Sequence, residues 1–173
     1  MPSGSYVLTG HDGPYAVERF TCADDGELWS WSATRHDPVS GALRGRLELQ
    51  VGREQRLHAE AAGWVLRAGT VGAEVLWRRG PDDRACVADG LTGSSPAFAI
   101  ATARRLDLAV GERRRVRLLA VTEPVLATLL VEQEWARVGQ DSYDVTDLAT
   151  GERQQLRLDG DVVDSPGLAL TRA

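Results

Sequence analysis

Apolar and polar residues alternate in short runs along most of this chain, and residues that favour turns interrupt the runs. Period-two alternation bounded by Gly, Pro, Asp and Ser predicts strands rather than helices. The runs fall at Tyr15–Cys22, Leu28–Thr34, Leu43–Val51, Leu57–Ala61, Trp64–Ala68, Ala73–Arg78 and Arg84–Ala88. In the second run Trp29, Trp31 and Ala33 share one face, while Ser30, Ser32 and Thr34 share the other. In the third, Gly45 falls on the apolar face beside Leu43 and Leu47, which marks a bulge or a close approach.

The alternation stops between Asp89 and Gly111. Ser95 and Pro96 have the order of an N-cap and a first helical residue, and the Ala-rich stretch to Leu106 completes a short helix or an extended segment. Strands return at Arg114–Thr122, Val125–Val138, Ser142–Leu148 and Arg153–Leu158, with Val162-Val163 near the end. Val125–Val138 starts apolar on both faces, as a central strand does. The expected fold is therefore all-β and mainly antiparallel: a curled sheet, half-barrel or barrel of about eleven strands with one short helix or loop mid-chain. Residues 1–173 form a single β domain, with a meander over 15–88, an interrupting segment over 89–111 and a second meander over 112–168. So many strands in one sheet must curl or close.

Composition narrows the chemistry. The 173 residues are 43% apolar, enough for a sizeable core, and the net charge of -5 gives no electrostatic reason to expect nucleic acid. The dense basic run Arg113-Arg114-Arg115 with Arg117 reads as a solvated strand start, with an anion contact as the minor alternative. There is no Lys, which removes Schiff-base and Lys general-base mechanisms. No secretory signal is visible, and no apolar run approaches the roughly 20 residues of a membrane span, so a cytoplasmic protein that is not an integral membrane protein is expected. Cys22 and Cys86 then read as reduced packing residues.

No catalytic residue, metal set or cofactor loop can be assembled. His11, His36 and His58 lack ligand spacing, and His36-Asp37 sits on a turn. Gly93-Ser94-Ser95-Pro96 is not a nucleophile elbow. Glu132 and Glu134 share a face with Leu126, Thr128 and Leu130, which would make them cavity acids if that face lined a cavity. The five tryptophans are the stronger signal. Trp29, Trp31, Trp64, Trp77 and Trp135 lie on apolar strand faces, where they serve either as core or, with Phe98, as walls of an apolar ligand site.

The Ser-Pro loop, the run Arg105-Leu106-Asp107-Leu108-Ala109-Val110-Gly111 and the run from Asp159 to Leu168 resemble the bacterial glycolipid-binding family. The resemblance covers about the C-terminal half, and Ser165 stands where the family pattern has an aromatic residue. It implies a curled antiparallel sheet, similar to the half-barrels of lipoprotein carriers, wrapped around an apolar groove. Three functions stay open: binding an apolar or amphipathic small molecule such as a lipid or glycolipid; a small β-barrel enzyme of cyclase or isomerase type; and a structural or interaction domain. No cofactor is expected.

Overall fold

A computed structural model describes residues 2–172. The chain forms a curled antiparallel sheet, a second sheet beside it, and one helix. The first meander runs through β1 (Ser3–Gly10), β2 (Gly13–Asp24), β3 (Trp29–His36), β4 (Leu43–Val51), β5 (Gln55–Ala61), β6 (Trp64–Val71), β7 (Glu74–Arg79) and β8 (Asp82–Val87). Then come β9 (Gly90–Gly93), helix α1 (Pro96–Leu106), β10 (Arg113–Thr122), β11 (Ala127–Arg137), β12 (Ser142–Asp147), β13 (Arg153–Asp159), β14 (Val162–Asp164) and β15 (Leu168–Arg172).

The described residues hold 15 strands rather than about eleven, in a nine-stranded sheet (β15-β1-β2-β3-β4-β5-β6-β7-β8) and a six-stranded one (β14-β13-β12-β11-β10-β9). The two meanders are thus two sheets, not two halves of one. β1 escapes the sequence pattern because glycines and serines dilute its alternation, yet Tyr6 and Leu8 are fully buried. β9 is too short to show a period; it pairs in parallel with β10, Leu91 opposite Leu119. Val125 and Leu126 form the β10–β11 turn, and β11 begins only at Ala127.

Inward positions of the large sheet follow strict alternation. β2 buries Ala16, Glu18, Phe20 and Cys22, and β3 buries Trp29, Trp31, Ala33 and Arg35. Phe20 stacks on Trp31 with ring centroids 4.1 Å apart, and Tyr6 lies 5.4 Å from Phe20. At Gly45 a Cβ would come within 2.6 Å of the Glu60 carbonyl, so only glycine permits this approach of β4 to β5.

The interior of the curl is filled by α1. The helix packs against β4, β9 and β14, and buries Ala97, Phe98, Ile100, Ala101, Thr102, Ala103 and Leu106 around most of its circumference. Only Ala99, Arg104 and Arg105 of its residues are not buried, so the helix suits an enclosing sheet. Its start is fixed by Ser95, whose hydroxyl accepts the Ala97 amide at 3.3 Å, and by Pro96. Its end is fixed by Asp107 in the left-handed region, whose amide donates to the Ala103 carbonyl. At the far end of the curl Arg104 reaches Asp24 at 2.8 Å and Asp161 at 3.2 Å, and the Trp29 indole donates to Asp161 at 2.7 Å.

Candidate functional site

Alternation forces two charges into the apolar interior. Glu18 and Arg35 occupy inward positions of β2 and β3, are 0% and 2% exposed, and stand directly opposite each other in register. An isolated charge there would carry a large desolvation cost, so each must be paired and hydrogen-bonded. Arg35 Nε donates to Glu18 Oε2 at 2.8 Å. Glu18 Oε1 accepts from the Ser95 hydroxyl at 2.6 Å and from the Trp31 indole at 3.3 Å. Arg35 Nη1 donates to Ser94 Oγ at 2.9 Å and lies 2.6 Å from Glu123 Oε1 in the β10–β11 turn. Burial alone would lower the Arg35 pKa; the Glu18 and Glu123 carboxylates more than offset it, so the guanidinium stays charged with a pKa above its ordinary value.

This cluster joins β2, β3, the β9–α1 loop and the β10–β11 turn, so it ties both sheets and the helix together at one end of the curl. Gly93 makes the junction close: a Cβ there would meet Phe98 at 2.6 Å.

The cluster opens into a cleft of about 510 Å³ lined by Tyr15, Arg35, Ser94, Ala120, Thr122 and Glu123, among others. Ala61, Arg44 and Pro124 also border it, and these three continue into a second cleft of about 770 Å³ whose wall includes Leu43, Trp64 and Val65. On the other side Tyr15, Gly93 and Ser94 lead to a narrower space of about 290 Å³ walled by Gln133, Trp135 and Leu156. The three spaces share lining residues and follow the seam between the two sheets. Their chemistry changes along the way: apolar at Trp64 and Pro124, charged at Arg35 and Glu123, amide and indole at Gln133 and Trp135.

The tryptophans divide among these surroundings. Trp29 and Trp31 are fully buried in the core with Phe98, and none of the three lines the clefts just described. Trp64 is half-exposed at a cleft wall, with the Arg79 guanidinium 3.8 Å above its ring. Trp135 is buried, lines the narrow space and donates to Gln133 at 3.0 Å. Trp77 is partly buried against the core. Glu132 and Glu134 lie on the strand face opposite Gln133 and Trp135; Glu134 sits 3.6 Å from both Arg113 and Arg115. The basic run is thus answered by an acid on its own sheet.

Glu18, Arg35 and Glu123 were not singled out by sequence reasoning. The signal for the first two was present, since Glu18 continues the parity of Ala16 and Phe20, and Arg35 that of Trp31 and Ala33. Ser94 attracted notice only as a failed nucleophile. Elsewhere, His36 bonds Thr34 Oγ1 at 3.0 Å and the Gly41 carbonyl at 3.1 Å, within its own hairpin. Among the described residues no group of three or more His, Cys, Asp or Glu side chains gathers to hold a metal ion. Neither Cys22 nor Cys86 is in a disulfide, and the Cys22 thiol donates to the Pro2 carbonyl at 3.7 Å. Among the described residues no helix is long and apolar enough to cross a membrane.

No family model matches the chain, and no curated protein matches it. The crystal structure of a DUF1089 family protein from Pseudomonas aeruginosa is similar, with 22% sequence identity, a TM-score of 0.63, and coverage of 88% of this chain and 90% of that one. At that identity the likeness is one of fold.

Proposed function

We propose that this protein binds an amphipathic small molecule, of the lipid or glycolipid class, along the seam between its two sheets. One observation carries the reading: the apolar cleft at Trp64 and Pro124 shares Arg44, Ala61 and Pro124 with the cleft bordered by Arg35, Glu123 and Ser94. An apolar chain suits the first and a hydrogen-bonding head group the second, since sites of this kind join apolar walls to a few fixed polar groups. The polar groups are held in advance. Arg35 is locked by Glu18, and Glu18 by Ser95 and Trp31, so little ordering is left for the ligand to impose.

In this reading Trp64 and Trp135 are the aromatic walls. Trp29, Trp31 and Phe98 act from behind, packing the core that holds the polar cluster in place. The occupant of the curl is α1, so the ligand lies at its mouth rather than inside it.

The test is a melting-temperature and tryptophan-emission titration with monomeric amphiphiles: a long-chain fatty acid, an alkyl glycoside and a zwitterionic detergent below its micelle concentration. At a hundredfold excess over Kd, binding to the folded state alone stabilises by about 2.7 kcal/mol, a readily measured shift. Thr122→Trp, which fills the central cleft from an exposed position, should abolish that shift while leaving the circular dichroism unchanged. A shift that survives Thr122→Trp, or no shift with any of the three, ends this reading.

A further inference from the structure

Three of four turns at one end of the molecule, β3–β4, β5–β6 and β10–β11, present apolar side chains to solvent, and two arginines beside them make no ion pair among the described residues. In an antiparallel meander alternate turns fall at the same end, so the β3–β4, β5–β6 and β7–β8 turns lie together. The β10–β11 turn of the other sheet joins them: Arg79 Nε donates to the Val125 carbonyl at 2.9 Å, and Pro124 shares a cleft with Leu43 and Trp64.

Most hairpin turns are polar, because their tips face water. Here Leu43, Trp64, Val65 and Val125 are 40–51% exposed and Val39 is 94% exposed. Scattered exposed apolar residues need no explanation, but a group at one rim does. Trp64 immediately follows Ala62 and Gly63, both at positive φ, a two-residue turn that sets the ring at the hairpin tip.

The charges point the same way. Arg44 pairs with Asp37 and Glu60 reaches His58, but Arg46 and Arg79 make no ion pair among the described residues. Asp82, at the start of β8, engages Arg84 instead. Two arginines outside any ion pair among the described residues therefore sit at an apolar rim, Arg79 with its guanidinium over the Trp64 ring and Arg46 opposite Glu60 in register. Arginines beside exposed apolar side chains and a tryptophan ring have the chemistry of a bilayer interface.

We propose that this end of the protein docks on an anionic lipid bilayer surface, with Val39, Leu43, Trp64, Val65 and Val125 entering the headgroup boundary and Arg46 and Arg79 meeting lipid phosphates. It rests on the seam reading in one respect, that the groove opens at this rim; docking faces the groove toward the reservoir of its ligand.

The test is co-sedimentation of the full chain with vesicles of phosphatidylcholine alone and of phosphatidylcholine with about a third phosphatidylglycerol. Binding is expected to the anionic vesicles, and to weaken with salt. Trp64→Ala with Val65→Ser should lower the partition about tenfold, and Arg46→Glu should lower it on anionic vesicles selectively. Val87→Ser with Val110→Ser, exposed elsewhere, should leave it unchanged. Absence of vesicle binding overturns the proposal, as does binding that the rim variants do not reduce or that the control pair reduces equally. Light scattering that shows a dimer, dispersed by Trp64→Ala with Val65→Ser in a chain that ignores vesicles, assigns the rim to a second copy and also overturns it. A chain that binds monomeric amphiphile but no vesicle keeps the seam reading and loses this one; the reverse result loses only the seam reading.

Discussion

Glu18 and Arg35 meet inside the curl with Nε 2.8 Å from Oε2, on adjacent strands where every other inward neighbour is apolar. A pair in this position is held against its own desolvation cost, which makes it an unequal partner in mutation. Removing one charge strands the other. Arg35→Met should therefore destabilise by about 3–5 kcal/mol, because Glu18 stays buried with only neutral donors. Glu18→Gln with Arg35→Met together should cost much less than Arg35→Met alone. Urea denaturation of the three proteins checks this; equal losses in the single and double variants would show that the two charges do not depend on each other.

Ser95 serves two structures at once, capping α1 and donating to Glu18. Loss of a cap costs about 1 kcal/mol, and a buried carboxylate that loses a donor costs about 1–3 kcal/mol more. Ser95→Ala should thus be clearly worse than an ordinary cap deletion, and Ser95→Thr should recover part of the loss. Exposed Ser94, by contrast, accepts a hydrogen bond from Arg35 alone among the described residues, and Ser94→Ala should stay within about 1 kcal/mol of the parent on the same denaturation assay.

The fold class was legible because inward and outward positions alternate so regularly, and the helix start because Ser95-Pro96 is a local signal. The division into two sheets was not legible. It depends on β9 pairing in parallel with β10 and on β1 pairing with β15 at the opposite end of the chain, contacts that leave no mark in any window of sequence. The polar cluster was hidden for another reason. The turn residues His36 to Gly41 close the predicted strand at Thr34, although the parity of Trp29, Trp31 and Ala33 places the next inward residue at Arg35. Trp64 shows the converse: its parity is inward like that of Leu66, but it stands at the strand's first residue, where the inward face has already reached the rim.

Cys22 is buried beside Asp161, and its thiol is pushed up to about 11, by burial first and by the nearby carboxylate second. A raised pKa means that the folded chain keeps its proton after the unfolded chain has lost it. Stability should be unaffected by this group at neutral pH, begin to fall as pH rises past about 9, and go on falling toward 11. Cys22→Ala should remove that slope. The thiol should also resist a disulfide reagent at pH 8 in the folded protein and react in urea, whereas part-buried Cys86 reacts first. Equal rates at the two cysteines would contradict the burial on which the slope depends.

The seam makes a graded prediction about ligand length. Its apolar stretch begins where the charged cluster ends, at Ala61 and Pro124, and runs to Trp64 at the rim. An alkyl chain anchored by its head at Arg35 and Glu123 therefore gains buried surface with each carbon until it passes Trp64. Each buried methylene contributes about 0.8 kcal/mol, about a fourfold gain in affinity. In a series of alkyl glycosides or alkyl carboxylates titrated as monomers, log Kd should fall linearly with chain length and then level off. Trp64→Ala removes the last wall, so it should leave short-chain affinity unchanged and bring the plateau to shorter chains. Glu123→Gln should act in the opposite pattern, altering all chain lengths by the same factor because it touches only the head. If both variants instead shift every chain length equally, head and tail are not separated along the seam and the ligand is held elsewhere.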